Sequence, residues 1–151
     1  MIFLTGDEIL SIELALTLCK RSFYFLESAK SNYRRGYYDV ACVEAEIAVQ
    51  LLVKALYNLM GYEHPRSHRI RELLSSLAMQ IDDTEISKAI RQYIRDRRKE
   101  LIILEDSRRM GQYDLLMIDH DRASIAIETA NEVYEMLKNI WIRIYGGWCI
   151  D

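Results

Sequence analysis

The sequence contains very little proline and glycine. Pro65 is its single proline, and six glycines are spread over 151 residues. No glycine-rich loop of the kind that binds phosphate groups occurs, nor an HExxH motif or a serine nucleophile elbow. No segment alternates apolar and polar residues over the length of a strand between turn residues. These absences exclude several common catalytic sites and argue against a β-sheet protein.

Cysteine is also scarce. The three cysteines, Cys19, Cys42 and Cys149, are odd in number, and none belongs to a CxxC pair. This argues against zinc binding and dithiol chemistry. Cys19 and Cys42 fall on apolar positions of helical patterns, where a free cysteine acts as a small hydrophobic residue. We therefore expect reduced cysteines and a reducing, cytoplasmic environment.

Long hydrophobic runs are missing as well. No stretch reaches the roughly 18 apolar residues of a membrane span, and MIFLTGDEIL lacks the basic region of a secretory signal. The formal net charge of −3 argues against a protein that coats nucleic acid with its whole surface, although local basic patches remain compatible with it. Half of the residues are hydrophobic. We expect one globular domain over residues 1–151, without membrane association.

The segment 37–61 is predicted to form the central helix of the protein. Its apolar residues follow the period of a helix and cover most of its circumference. Ala41, Ala45 and Ala48 lack bulk, so other helices can approach closely there. The polar residues of this segment form a narrow seam, which consists of Glu46, Gln50 and Lys54.

The remaining pattern predicts helices around this one. We expect them over residues 6–35, from His68 to about Gln80 after an N-cap at Ser67, over about 25 residues from Thr84, and over about 25 residues after an N-cap at Asp119 or Asp121. Gly111 is expected to interrupt helical structure. The predicted fold is all-α, an up-and-down bundle of four long helices plus one short helix.

Two arginines contradict the apolar pattern of the fourth predicted helix. Arg97 and Arg108 fall on its core-facing stripe, where an unpaired guanidinium would be very costly. They could pair with Glu44, Glu46 or Glu100, or they could handle an anion together with the polar seam of the central helix. For the neighbouring arginines Arg91, Arg95 and Arg98, a solvated face with pairs to Asp96 or Glu105 is the simpler interpretation.

Metal and cofactor sites are not predicted. His64 and His68 are four residues apart, which suits two ligands on one helix face, but Pro65 argues against a continuous helix through both. The Glu-x-x-His pairs of di-iron bundles do not occur. We therefore expect neither a metal ion nor a cofactor.

The segment NYRRGYYDVACVEAEIAVQLLVKALYNLMGYEHPRSHRIRELL resembles HEPN domains (higher eukaryotes and prokaryotes nucleotide-binding), of the prokaryotic stand-alone type. The later LEDSRRMGQYD resembles the segment where these domains carry Arg-Tyr: Tyr113 fits, whereas Gln112 stands where arginine is usual. The resemblance covers roughly residues 17 to 140. The matching positions of the first segment are Tyr38, Ala41, Ala45, Ala48, Lys54, Ala55, Leu56, Pro65, His68 and Leu73.

The resemblance implies a helical bundle, often a homodimer, that acts in prokaryotes beside a small nucleotidyltransferase partner in toxin–antitoxin pairs. Another branch of the family consists of metal-independent ribonucleases, which carry an arginine four to six residues before a histidine. His64, His68 and His120 all lack an arginine at that spacing. We therefore expect a binding protein rather than an enzyme.

Three hypotheses for function follow. In the leading one, a helical homodimer binds a nucleotide, an RNA phosphate or a protein partner. Arg97, Arg108 and Arg109 provide the phosphate contacts, with Tyr113 for base stacking. Glu46, Lys54 and His68 complete that predicted ligand-binding set. In the second, His120 is the acid or base of a ribonuclease, and Arg108 or Arg109 stabilises the phosphorane. In the third, the chain is a structural, dimeric interaction module anchored by Trp141 and Trp148.

Overall fold

A computed structural model describes residues 3–150 of the chain. Within this range it contains helices and no strands, which confirms the predicted all-α fold. None of the helices in the described range combines the length and the apolar character needed to cross a membrane. The helices are α1 (Gly6–Arg34), α2 (Tyr38–Met60), α3 (Ile70–Gln80), α4 (Thr84–Asp96), α5 (Arg98–Tyr113) and α6 (His120–Tyr145).

Helix α2 is the central helix, as its sequence predicts. It packs against α1, α3, α5 and α6. Ala41, Ala45 and Ala48 are completely buried, because their small side chains let neighbouring helices come close. The polar seam of this helix is largely buried too: Glu46 and Gln50 face the protein interior. The helix therefore brings a carboxyl and an amide group into the packed bundle.

The hairpin of α1 and α2 is set by local signals. Thr5 and Glu8 form a capping box at the start of α1, where orphan backbone N–H groups need acceptors. After Arg34 the chain turns at Gly36, whose φ of +80° suits a residue without a Cβ. The short connection makes the two helices antiparallel neighbours.

The prediction of one long fourth helix is wrong, because this segment forms two helices. Helix α4 ends at Asp96, and Arg97 leaves helical geometry with φ −114° and ψ 24° before α5 begins. Helix α4 packs mainly on α3, whereas α5 packs on α2 and α6. One straight helix could not follow both surfaces. Over residues 3–150 the bundle thus has six helices rather than the predicted five.

Two further local predictions need correction. Helix α3 begins at Ile70, and Ser67 is not its N-cap; its hydroxyl accepts a hydrogen bond from the Arg69 N–H instead. Gly111 lies inside α5 and does not end it. A Cβ at Gly111 would lie 2.7 Å from the backbone oxygen of Asp39 and 2.9 Å from a methyl group of Val43. The glycine therefore permits a close approach of α5 to α2.

The cysteines also depart from expectation. Cys19 forms a disulfide with Cys149, which ties α1 to the tail that follows α6. Cys42 is free and buried, as predicted, and burial raises the pKa of its thiol to about 12. A thiol with this pKa stays protonated at neutral pH and reacts slowly.

The two tryptophans pack inside the molecule. Trp141 is completely buried, which contradicts its predicted role as a surface anchor. Trp148 is partly buried and meets the rings of Tyr134 and Trp141 edge to face. Cys149, the residue after Trp148, is fixed to α1 by its disulfide with Cys19. The tail therefore covers the end of the helical core.

Candidate functional site: an arginine-lined cleft

A cleft of about 540 Å³ opens where α2, α5 and the start of α3 meet. One wall is a single side of α5, because residues three or four positions apart lie on the same side of a helix. The side chains of this wall are Glu105, Arg108, Arg109 and Gln112. We call this site the arginine cleft. Its lining residues are Glu46, Gln50, His68, Arg69, Arg71, Glu105, Asp106, Arg108, Arg109, Gln112 and Tyr113.

Glu46 forms the floor of the arginine cleft. Its side chain is only 2% exposed, yet an Nη1 atom of Arg108 lies 3.3 Å from one of its oxygens. Gln50 donates to the other oxygen and to the backbone carbonyl of His68, 2.7 Å away. Burial raises the pKa of Glu46 to about 7, although Gln50 and Arg108 act in the opposite direction. The floor is therefore a carboxyl group that changes charge near neutral pH.

Arg71 forms one wall through a second ion pair. Its Nε donates to both carboxylate oxygens of Glu105 at 2.9 Å, and the Glu105 side chain is largely buried. Between residues 3 and 150, no hydrogen bond from the terminal amino groups of Arg71 is found. This pair joins α3 to α5 and fixes the guanidinium in place, while donors remain for a ligand.

The cleft carries an excess of positive charge. Four arginines face three carboxylates there, in a protein whose formal net charge is −3. Arg109 is exposed and makes no ion pair with any residue in the described range. Arg69 is exposed as well, and its nearest carboxylate is that of Glu72 at 3.7 Å. Tyr113 lies at the rim with 80% of its surface accessible.

One comparison with known proteins agrees with this architecture. A comparison with protein-family models matches residues 15–140 to the HEPN domain. The chain belongs to the HEPN domain family. This confirms the resemblance found in the sequence and assigns the chain to helical domains related to nucleotides and RNA. Neither the curated proteins nor the solved structures give a match.

The cleft of this HEPN domain brings together five of the predicted site residues, Glu46, His68, Arg108, Arg109 and Tyr113. Arg97 and Lys54 do not line it. Lys54 is partly buried farther along α2. The prediction of Arg97 depends on its helix face, and that of Lys54 on its helix face and the family resemblance; a helix face extends well beyond any one cleft.

Arg97 has carboxylate partners at the break between α4 and α5. Its Nη2 atom lies 2.6 Å from a carboxylate oxygen of Glu132, and its Nη1 atom lies 3.7 Å from a carboxylate oxygen of Glu100. The pair with Glu100 is one that the sequence predicted. The Tyr93 hydroxyl donates to the same Glu132 carboxylate at 3.0 Å, and burial together with this carboxylate raises the pKa of Tyr93. This cluster joins α6 to the break between α4 and α5.

His120 occupies a different part of the HEPN domain, at the first position of α6. Its Nε2 lies 3.2 Å from the hydroxyl of Tyr33, and its ring packs against Tyr38. Its Nδ1 lies 3.3 Å from an oxygen of Asp121. His120 does not line the arginine cleft.

Sequence reasoning missed Arg69 and Arg71. Both lie in the segment HPRSHRIRELL, where a cluster of basic residues surrounds the histidine that the family resemblance selects. That cluster was an available signal, and the side-chain pairing of Arg71 with Glu105, 34 positions later, was not. Within the part of the chain that the structure describes, no group of three or more potential ligands is arranged to hold a metal ion.

Proposed function

We propose that this HEPN domain binds the phosphate groups of a nucleotide or of RNA in the arginine cleft. The supporting observation is the convergence of four arginines from α5 and from the start of α3 on one concave surface. Guanidinium groups suit this task because their planar donors match phosphate oxygens in pairs. Arg109 and Arg69 are the exposed donors, and Tyr113 offers a ring face for a base.

The carboxylates of the cleft act as positioning groups in this proposal. Glu46 holds Arg108, and Glu105 holds Arg71, so both guanidinium groups are oriented before a ligand arrives. Less side-chain entropy is then lost on binding. His68 contributes its backbone carbonyl to the network through Gln50.

The family resemblance supports a proposal for the wider biological role. We propose a homodimer in a prokaryotic toxin–antitoxin pair with a nucleotidyltransferase partner, acting in the cytoplasm as a binding component. Light scattering after size exclusion tests the dimer. For the cytoplasm, Cys19 and Cys149 should be reduced in freshly lysed cells; the disulfide between them, if found there, would contradict this location, since disulfides persist in oxidising environments.

The binding proposal is tested with fluorescently labelled single-stranded RNA at increasing salt. Arg109→Ala should weaken binding by about tenfold and lower the salt slope by about one, because one charge-assisted phosphate contact is lost. Arg91→Ala is the matched control: Arg91 is exposed on α4, and α4 contributes nothing to the cleft.

Equal affinities of the wild type, Arg109→Ala and Arg69→Ala would contradict the proposal. The same samples are read on a gel for cleavage. RNA cut by the wild type and left intact by His120→Ala would favour the ribonuclease hypothesis over a pure binding role.

A further inference from the structure

A second cavity of about 490 Å³ adjoins the arginine cleft across the start of α3. Arg69 and Arg71 line both cavities, so the two form one continuous basic surface. Beyond these shared arginines, the second cavity is lined by Arg98, the first residue of α5, and by Ser75 on α3. Neither Arg98 nor Ser75 belongs to the predicted site.

The second cavity has the chemistry of an anion subsite. Three arginines and one carboxylate, that of Glu72, line it, and Ser75 adds a hydroxyl group. Arg69 pairs with Glu72, and Arg71 pairs with Glu105 in the arginine cleft. Arg98 is exposed and forms no ion pair with the residues from 3 to 150.

The two ends of this surface are far apart. Eleven positions of α5 separate Arg98 from Arg109, a distance of about 16 Å along the helix axis. One phosphate group cannot contact both ends. A ligand that uses the whole surface therefore carries several phosphates along an extended backbone.

On the basis of the proposed function, we infer that the ligand is a single RNA strand of several nucleotides, which spans both cavities. Arg109 holds one phosphate beside the base-stacking Tyr113. Arg69 and Arg71 contact the backbone where the cavities meet, and Arg98 with Ser75 holds a later phosphate. An aromatic ring at one end favours a nucleic acid over an acidic peptide, because a peptide of carboxylates has no bases to stack.

The test compares uridine oligonucleotides of increasing length. UMP, a dinucleotide, a tetranucleotide and an octanucleotide compete with a fluorescently labelled octanucleotide for the full-length protein. Affinity should rise at least tenfold from the dinucleotide to the octanucleotide. Arg98→Ala should lose at least fivefold for the octanucleotide and nothing for UMP, whereas Arg109→Ala should lose affinity for both.

Arg91→Ala again serves as the control, because it removes the same charge seven residues before Arg98 without touching either cavity. Circular dichroism confirms that each variant is folded. An octanucleotide that binds no better than the dinucleotide, with Arg98→Ala unchanged, would overturn the inference. Continued dependence of UMP binding on Arg109 would leave the proposed function standing.

Two other results would also be decisive. If no nucleotide of any length binds in an Arg109-dependent way, the proposed function fails as well. If polyglutamate of similar length competes as strongly as the octanucleotide, the surface recognises charge alone, and the assignment to RNA is wrong.

Discussion

Glu46 shows how a single buried side chain connects the stability of the bundle with its cleft. Its pKa of about 7 lies well above the ordinary 4.5, and burial is the main cause. The folded protein therefore holds a proton at Glu46 that the unfolded chain releases between these two pH values. The contribution of this residue to stability is largest below pH 4.5 and is lost as the pH rises to 7 and above.

Glu46→Gln should remove this dependence on pH. Relative to the wild type, the variant should gain about 1–3 kcal/mol in the free energy of unfolding between pH 5 and pH 8, because its neutral amide has no charge to desolvate. Urea titrations of both proteins at the two pH values measure the change. Parallel pH profiles would show that Glu46 is well solvated.

Residue chemistry also explains which partners could be predicted. Arg97 and Arg108 fall on an apolar stripe of the sequence, so each was expected to need a carboxylate partner. The candidates correctly included Glu100, which pairs with Arg97, and Glu46, which pairs with Arg108. Glu132 was not among them, because it lies on α6 and a single sequence contains no register between distant helices. The chemical need was visible in the sequence, whereas the long-range geometry was not.

At the scale of the elements, the packing of α5 on α2 depends on the glycine at position 111. Gly111→Ala should destabilise the protein by about 1–3 kcal/mol, since the new methyl group would collide with the backbone of Asp39. A shift of α5 would also displace Arg108 and Arg109, so RNA affinity should fall with stability. Thermal unfolding and the binding assay measure both effects.

Gly6→Ala is the control for this substitution. Gly6 is also helical, but a Cβ there would have no neighbour within 4 Å. Alanine at this site should be neutral or slightly stabilising. If Gly111→Ala proved as stable as Gly6→Ala, the close approach of α5 to α2 would not constrain the fold.

The break between α4 and α5 shows what periodicity cannot reveal. The apolar residues follow a helical pattern on both sides of Arg97, so local sequence alone favours one helix. The bend arises because the two halves pack on different partners, α3 and then α2 with α6. The helical character of this segment was predictable, but its division into two helices and their directions were properties of the assembled bundle.

At the scale of the whole molecule, the disulfide between Cys19 and Cys149 should contribute strongly to stability. It joins residues 130 positions apart, and a constraint on so long a loop typically adds about 2–4 kcal/mol. Urea unfolding with and without dithiothreitol measures this contribution.

A Cys19→Ser/Cys149→Ser variant supplies the control, because reductant should leave its stability unchanged. If dithiothreitol had no effect on the wild type either, the disulfide would not constrain the unfolded chain.

The family and the core of the bundle could be predicted because their signals are local. The Ala-rich central helix and half of the cleft, including Arg108, Arg109 and Tyr113, follow from short segments. Two pairings could not be predicted: the ion pair of Arg71 with Glu105 and the disulfide of Cys19 with Cys149. Each joins distant parts of the chain. What was missed is therefore the set of contacts that ties the helices together.

The same disulfide makes nearly the whole polypeptide a covalent ring. Helices α2 to α6 all lie inside this ring, as does the exposed connection between α5 and α6, where Leu115, Leu116 and Met117 are accessible. A protease that cuts this connection once would open the ring but release no fragment. On a denaturing gel, the nicked protein would run as one species without a reductant and as two fragments with it.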